Sequence, residues 1–197
     1  NQIGGSIPGS FARLSNLYIA GLGSNRISGR IPDSFNEPDG LVSLMYLYLD
    51  NNRITGVPRD LSNLKNLQLI DLQYNPIRSL DNVAGLLTSP QLVEIDLSNC
   101  QLSGSGLARW LARGYPRANT LHISDEVTPS LGLGNNALSG SIPENIGTLL
   151  PDYIQGLGFD NNQFSGHIPS SLSNLTSLTI VELQRNELTG SIPDTFS

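Results

Sequence analysis

The sequence predicts an α/β solenoid, a stack of short repeats with a parallel β-sheet on one face and short helices or turns on the other. Two observations predict it. The first is a phrase whose cleanest copy, at 178–193, reads L-T-I-V-E-L-Q-R-N-E-L-T-G-S-I-P, with the spacing L-x-x-L-x-L-x-x-N-x-L-x-G-x-I-P. The second is its recurrence. The asparagine of the phrase, or its equivalent, falls at Asn1, Asn25, Asn52, Asn75, Cys100, Asn136, Asn162 and Asn186, in steps of 24, 27, 23, 25, 36, 26 and 24 residues. One such unit cannot bury its apolar side alone, but stacked copies can. In L-x-L the two leucines point inward and the residue between them points out, which is strand alternation. The asparagine turns the chain inward, and its amide both donates and accepts, so it can satisfy buried backbone groups of adjacent turns.

This phrase and period resemble the leucine-rich repeat family across essentially the whole chain. The G-x-I-P ending is similar to the plant-type subclass of receptor-like kinase ectodomains, receptor-like proteins and polygalacturonase-inhibiting proteins. The resemblance implies seven parallel strands on a concave face. It also implies short flank strands at the G-x-I-P segments and 3-10 or short α-helices on the convex side.

Taken in order, the first copy has Ile7-Pro8, Phe11, Leu14 and Leu17, then a strand at Ala20-Gly21-Leu22. Ala20 stands where leucine is usual, so thin packing is expected there. The second copy has Ile31-Pro32 and Phe35, an insertion near 36–39, and the strand Leu47-Tyr48-Leu49. The next three copies, after Asn52, Asn75 and Cys100, lack the full G-x-I-P, and the flank strand is expected to weaken or vanish there. At 106–113, G-L-A-R-W-L-A-R places Leu107, Trp110 and Leu111 on one helical face with Arg109 and Arg113 off it. That predicts a short convex helix with Trp110 plugging the core. The step of 36 leaves two candidate strands, one at 121–123 and one around Leu133. The spacing from Leu97 favours Leu121-His122-Ile123, with about ten extra residues, from Ser124 to Leu133, leaving its end at the concave rim. The regular pattern resumes with Ile142-Pro143, Leu157-Gly158-Phe159 and Ile168-Pro169.

With 197 residues and 38% hydrophobic content, the chain can bury a sizeable core. The repeats make that core one elongated domain, 1–197, of about seven repeats. Both ends fall mid-pattern with no capping repeat, so the expectation is a part of a longer protein. There is no long apolar run and no signal peptide at the start. Cys100 is the single cysteine, so no internal disulfide can form, and a buried structural thiol is expected. The net charge of −6, from 11 basic and 17 acidic residues, argues against nucleic acid and favours a partner with a basic surface.

The outward strand positions form the candidate partner-binding surface. An acidic stripe of Asp50, Asp71, Glu94 and Asp96 lies beside Tyr46, Tyr48 and Tyr74, with Gln73, Asp160, Glu182 and Arg185 completing the face. His122, Asp125 and Glu126 join it through the insertion. Tyrosine beside charge suits binding, because the ring buries area while its hydroxyl stays wet; the plainer reading is a solvated sheet face. Asp71 and Asp96, on adjacent strands, form a carboxylate pair of the kind that can do acid–base work. An open, wet sheet is expected to leave those carboxylates untuned, which argues against catalysis. His122 and His167 are far apart in repeat order, and no site for a metal or cofactor is expected. Asn174-Leu175-Thr176 is a glycosylation sequon on the convex side. The expected function is non-enzymatic recognition of a protein or peptide by a receptor-like or inhibitor-like protein, extracellular or at the cell surface. The alternative is a structural or linker subunit held within a large multiprotein assembly, including one inside an organelle.

Overall fold

A computed structural model describes residues 1–118 and 127–196. In chain order its strands are β1 (Gly4–Gly5), β2 (Ile19–Gly21), β3 (Arg26–Arg30), β4 (Tyr46–Tyr48), β5 (Arg53–Gly56), β6 (Leu69–Asp71) and β7 (Glu94–Asp96). They continue as β8 (Ser103–Gly104), β9 (Ser130–Gly132), β10 (Ala137–Ser141), β11 (Gly156–Gly158), β12 (Gln163–His167), β13 (Ile180–Glu182) and β14 (Glu187–Thr189). Seven of them form one parallel sheet in the order β2-β4-β6-β7-β9-β11-β13. Two smaller parallel sheets, β1-β3-β5 and β8-β10-β12-β14, run along the flank. The convex side carries 3-10 helices such as Asp33–Asn36 and Leu80–Thr88, together with α1 (Leu107–Leu111) and α2 (Ile146–Leu149). The fold is a leucine-rich-repeat-type solenoid, as the repeat predicts.

The asparagines hold consecutive turns together. Asn75 is buried; its Nδ2 donates to the carbonyls of Leu49 (2.9 Å), Leu72 (3.0 Å) and Gln73 (3.2 Å), while its Oδ1 accepts from the Ile54 N–H at 2.7 Å. Asn52, Asn136, Asn162 and Asn186 repeat this pattern. The residue before each ladder position is left-handed. Ser24, Asn51, Tyr74, Asn99, Asn135, Asn161 and Arg185 have φ between 50° and 57°. Asparagine tolerates that conformation, which explains its frequency there; tyrosine and arginine adopt it at a cost.

Cys100 occupies its ladder seat as a fully buried thiol whose Sγ donates to the Leu72 carbonyl at 3.1 Å. Burial, foremost, pushes its pKa up to about 12. A thiol reagent should therefore label the native protein far more slowly than the unfolded chain, and Cys100→Asn should shift stability by no more than about 1 kcal/mol. Rapid native labelling, measured by mass spectrometry, would contradict this.

The flank strand weakens or vanishes across the three middle copies, as expected. β5 survives with a register shift opposite Gly29/Arg30, and β8 persists as two residues. Only after Asn75 is the strand lost; there Pro76 removes an N–H, and the chain instead pairs Arg78 N with the Cys100 carbonyl at 3.0 Å. Leu72 and Leu97 are fully buried, but Leu183 is only partly so, because β13 is the outermost strand and has a neighbour on one side. Ala20 is buried at 3% exposure, so that site is covered despite the small side chain. The helix around Trp110 forms as expected, with Leu107, Trp110 and Leu111 buried.

The largest correction concerns the long step. Ser130–Gly132, not Leu121-His122-Ile123, pairs with both β7 and β11. Residues 127–129 lead into this strand at its N-terminal end. Residues 119–126, including His122, Asp125 and Glu126, lie outside the described residues. The spacing from Leu97 misled because both segments carry small and apolar residues at strand positions. Backbone pairing, which spacing does not report, selects between them.

Candidate functional site

The concave sheet face is built from the outward residues of seven three-residue strands. The first row is Ile19, Tyr46, Leu69, Glu94, Ser130, Gly156 and Ile180, and the second is Gly21, Tyr48, Asp71, Asp96, Gly132, Gly158 and Glu182. Adjacent strands lie about 4.8 Å apart. That spacing gathers Asp71, Glu94 and Asp96 on neighbouring strands, with Asp50 following β4 and Gln73 following β6. Tyr48 and Tyr74 border this group. Asp160, Glu182 and Arg185 belong to the last two strands and sit apart from it. The described candidates lie at positions of this sheet, but only those from Tyr48 to Asp96 form one continuous surface patch.

Tyr46 differs from its expected role. It is 2% exposed, packed in a small cluster with Leu69, Val93 and Val127, and its ring meets that of Tyr18 edge-on at 5.5 Å. The chain entering β9 supplies Val127, so an outward strand position has become a second core. Its neighbourhood is fastened by hydrogen bonds. Thr128 N–H donates to Glu94 Oε2 at 3.0 Å, and Tyr153 Oη donates to the Pro116 carbonyl at 3.0 Å. Tyr74 is the opposite case. It is 56% exposed and holds the left-handed backbone shared by the residue before each ladder position.

Asp71 and Glu94 are not left untuned. Asp71 is half-buried, and its pKa is raised by that burial and, to a smaller extent, by the charges of Asp96 and Asp50. Opposing this, it accepts from Gln73 N at 3.0 Å and from Gln73 Nε2 at 3.0 Å. Glu94 is raised by burial first, then by Asp96 and Asp71, against the hydrogen bond from Thr128 N. Strand alternation does not reveal this, because the tuning comes from flanking segments as well as from the sheet.

The sign follows directly. A carboxyl whose folded pKa exceeds its unfolded value binds protons more tightly in the native state. Its destabilising effect is absent below the unfolded pKa and complete above the raised folded pKa. Asp71→Asn should therefore stabilise the protein at pH 7, with the gain shrinking as pH falls through the raised pKa toward about 4. Thermal unfolding against pH for the two proteins checks this; parallel profiles would refute it.

Outward positions without side chains lie between the two acidic groups. Gly132, Gly134 and Gly158 present bare backbone on β9 and β11 and just past β9. Their lack of side chain is used by neighbours. A Cβ on Gly132 would stand 2.8 Å from Asp96 Oδ1, and one on Gly134 would collide with Asp160 Oδ1. The aspartates lean across the glycines, so the floor of the face is shallow there and carboxylates rim it. Placing β9 at 130–132 reveals this, since the other register would have assigned those seats to His122 and Ser124.

Family models described as "Leucine rich repeat" and "Leucine Rich Repeat" match residues 42–102 and residues 153–175 and 177–197, respectively. Receptor-like kinase TMK2 of Arabidopsis thaliana is 30% identical over 193 residues, covering 98% of this chain and 20% of that protein. Among solved structures, the plant peptide hormone receptor RGFR1 in complex with RGF2 superposes with a TM-score of 0.75 at 30% identity, covering 98% of this chain and 28% of that one. The Arabidopsis receptor kinase HAESA, in complex with the peptide hormone IDA and the co-receptor SERK1, gives 0.71 at 32% identity, covering 100% and 30%. The chain thus spans about a fifth of the curated relative and under a third of each solved chain. With the repeat phrase, the ladder and the three-sheet solenoid, these matches establish that the chain belongs to the leucine-rich repeat family, in its plant-type subclass.

Proposed function

We propose that the concave face recognises a protein or peptide segment carrying basic side chains, as the non-enzymatic binding module of a receptor-like or inhibitor-like protein facing the outside of the cell. The observation that carries this is the continuous patch of Asp50, Asp71, Glu94 and Asp96 beside Tyr48 and the exposed Tyr74. Tyrosine rings supply contact area, and half-buried carboxylates supply an attraction less screened than that of fully exposed charges. The two receptors named above were solved with peptide hormones, which supports the same reading for this face. The segment entering β9 borders the patch through Thr128 and Val127, so it forms one wall of the proposed surface.

The carboxylates line an open sheet rather than a water-excluded cavity, which favours binding over catalysis. A peptide array with matched Lys/Arg-rich and Glu-rich members tests the reading. Basic members should bind, and Asp71→Asn/Asp96→Asn should weaken them roughly tenfold at low salt. Equal binding of both sets, or no effect of the double substitution, would end it. Because a cationic ligand favours the ionised carboxylates, affinity should also fall as pH drops far enough to protonate Asp71 and Glu94, whose pKa values lie above the usual carboxylate values.

A further inference from the structure

We propose a second site, on the convex side, in which Arg59, Arg109 and Arg113 bind the oxyanions of an acidic polysaccharide. These residues, with Asp81 and Ala84, line an open groove of about 440 Å³. It adjoins a wider groove of about 650 Å³ that Arg30 and Arg59 also border.

The local fold places the three guanidiniums together. Leu107, Trp110 and Leu111 turn one face of α1 into the core, so Arg109 and the following Arg113 are left on the surface side. Asp81 opens the 3-10 helix Leu80–Thr88 of the preceding repeat, where the Ser79 hydroxyl oxygen accepts its N–H at 3.2 Å. Asp81 Oδ2 accepts from Arg109 Nη2 at 2.9 Å, and Asp81 Oδ1 accepts from Arg113 Nη2 at 3.1 Å. One carboxylate therefore faces three cations in a chain whose net charge is −6. Asp33 and Asp60 line only the adjoining groove, so the positive surplus is confined to this end.

Each guanidinium carries five N–H donors, and Asp81 takes one from each of two. The Arg109 and Arg113 side chains stay 71% and 48% exposed beside Asp81, and a guanidinium's fork of donors suits carboxylate and sulfate oxygens. Asp81 acts as an internal stand-in for such a group and holds the two arginines in place. Among the described residues, the groove offers one apolar side chain, Ala84. A peptide would need apolar pockets for its anchors, whereas a carbohydrate chain bearing carboxylates or sulfates needs none.

The test measures binding of three fluorescent probes at low salt: a polyuronate, a sulfated polysaccharide and poly-glutamate. At least one glycan should bind, and its binding should weaken as salt rises to about 0.15 M. Whichever glycan binds more tightly identifies the oxyanion. Arg109→Gln/Arg113→Gln should weaken binding roughly tenfold, and Arg59→Gln roughly threefold. Asp81→Asn should tighten it roughly threefold, because both guanidiniums gain free donors. Trp110 fluorescence reports whether each variant is folded, and Arg13→Gln, in the 3-10 helix Gly9–Arg13 away from this groove, should change nothing. The proposal is overturned if neither glycan binds, if the arginine variants bind like the original, if Asp81→Asn weakens binding, or if poly-glutamate binds as tightly as the glycans.

Discussion

Replacing Asn75 with alanine should lower the unfolding free energy by about 3 kcal/mol or more. The side chain is 1% exposed, and its amide serves four backbone groups in two adjacent repeats. Alanine leaves the Ile54 N–H and the carbonyls of Leu49, Leu72 and Gln73 without that partner. Each buried polar group so orphaned costs roughly 1–3 kcal/mol, less where water can reach it. The position is central in the solenoid, so both of its repeat interfaces weaken together. Asn186→Ala is the matched control. Asn186 makes the same kinds of bond, but it is only half-buried in the last repeat, and water can replace what is lost. Denaturant unfolding of the two variants should show a much larger fall for Asn75→Ala. Equal falls would mean that the ladder bonds matter little beside side-chain packing.

Leu97→Ala should cost about 2–5 kcal/mol, from lost burial plus the cavity left behind. Leu97 is fully buried beside β7, the central strand of the seven, and its N–H donates to the Gly132 carbonyl at 2.8 Å. The surrounding repeats are fixed by paired strands on both sides, which restricts collapse around the cavity. Leu183→Ala makes the comparison, since the same residue type holds the same repeat position next to the outermost strand and is only partly buried. Its loss should be clearly smaller. If the two substitutions cost the same, position along the stack does not govern packing strength.

The fold was legible in the sequence because its determinants are periodic. The inward leucines, the ladder asparagine and the turn before it recur at a nearly fixed spacing, and each acts on neighbours one repeat away. Trp110 with Leu107 and Leu111 was legible for a similar reason, since a helical face is a local pattern. The acidic patch was legible as well. Once strand alternation is known, the residue between two inward leucines must point outward.

Contacts that no period encodes were settled by the packed chain. Two segments of the long step could each read as the missing strand, and backbone pairing to β7 and β11 selected Ser130–Gly132. That choice put bare glycines on the face where the spacing had suggested His122. Tyr46 reads as an outward binding residue, yet Val127 joins it in a small core because the chain enters β9 across it. The tuning of Asp71 and Glu94 likewise depends on how far neighbouring segments exclude water. Gly85 sits in the 3-10 helix Leu80–Thr88, where a Cβ would collide with the Pro58 carbonyl oxygen of the preceding repeat. Repeat spacing determines which residues face inward. Which residues touch across repeats depends on insertions and on close backbone approach, and those are fixed only when the turns stack.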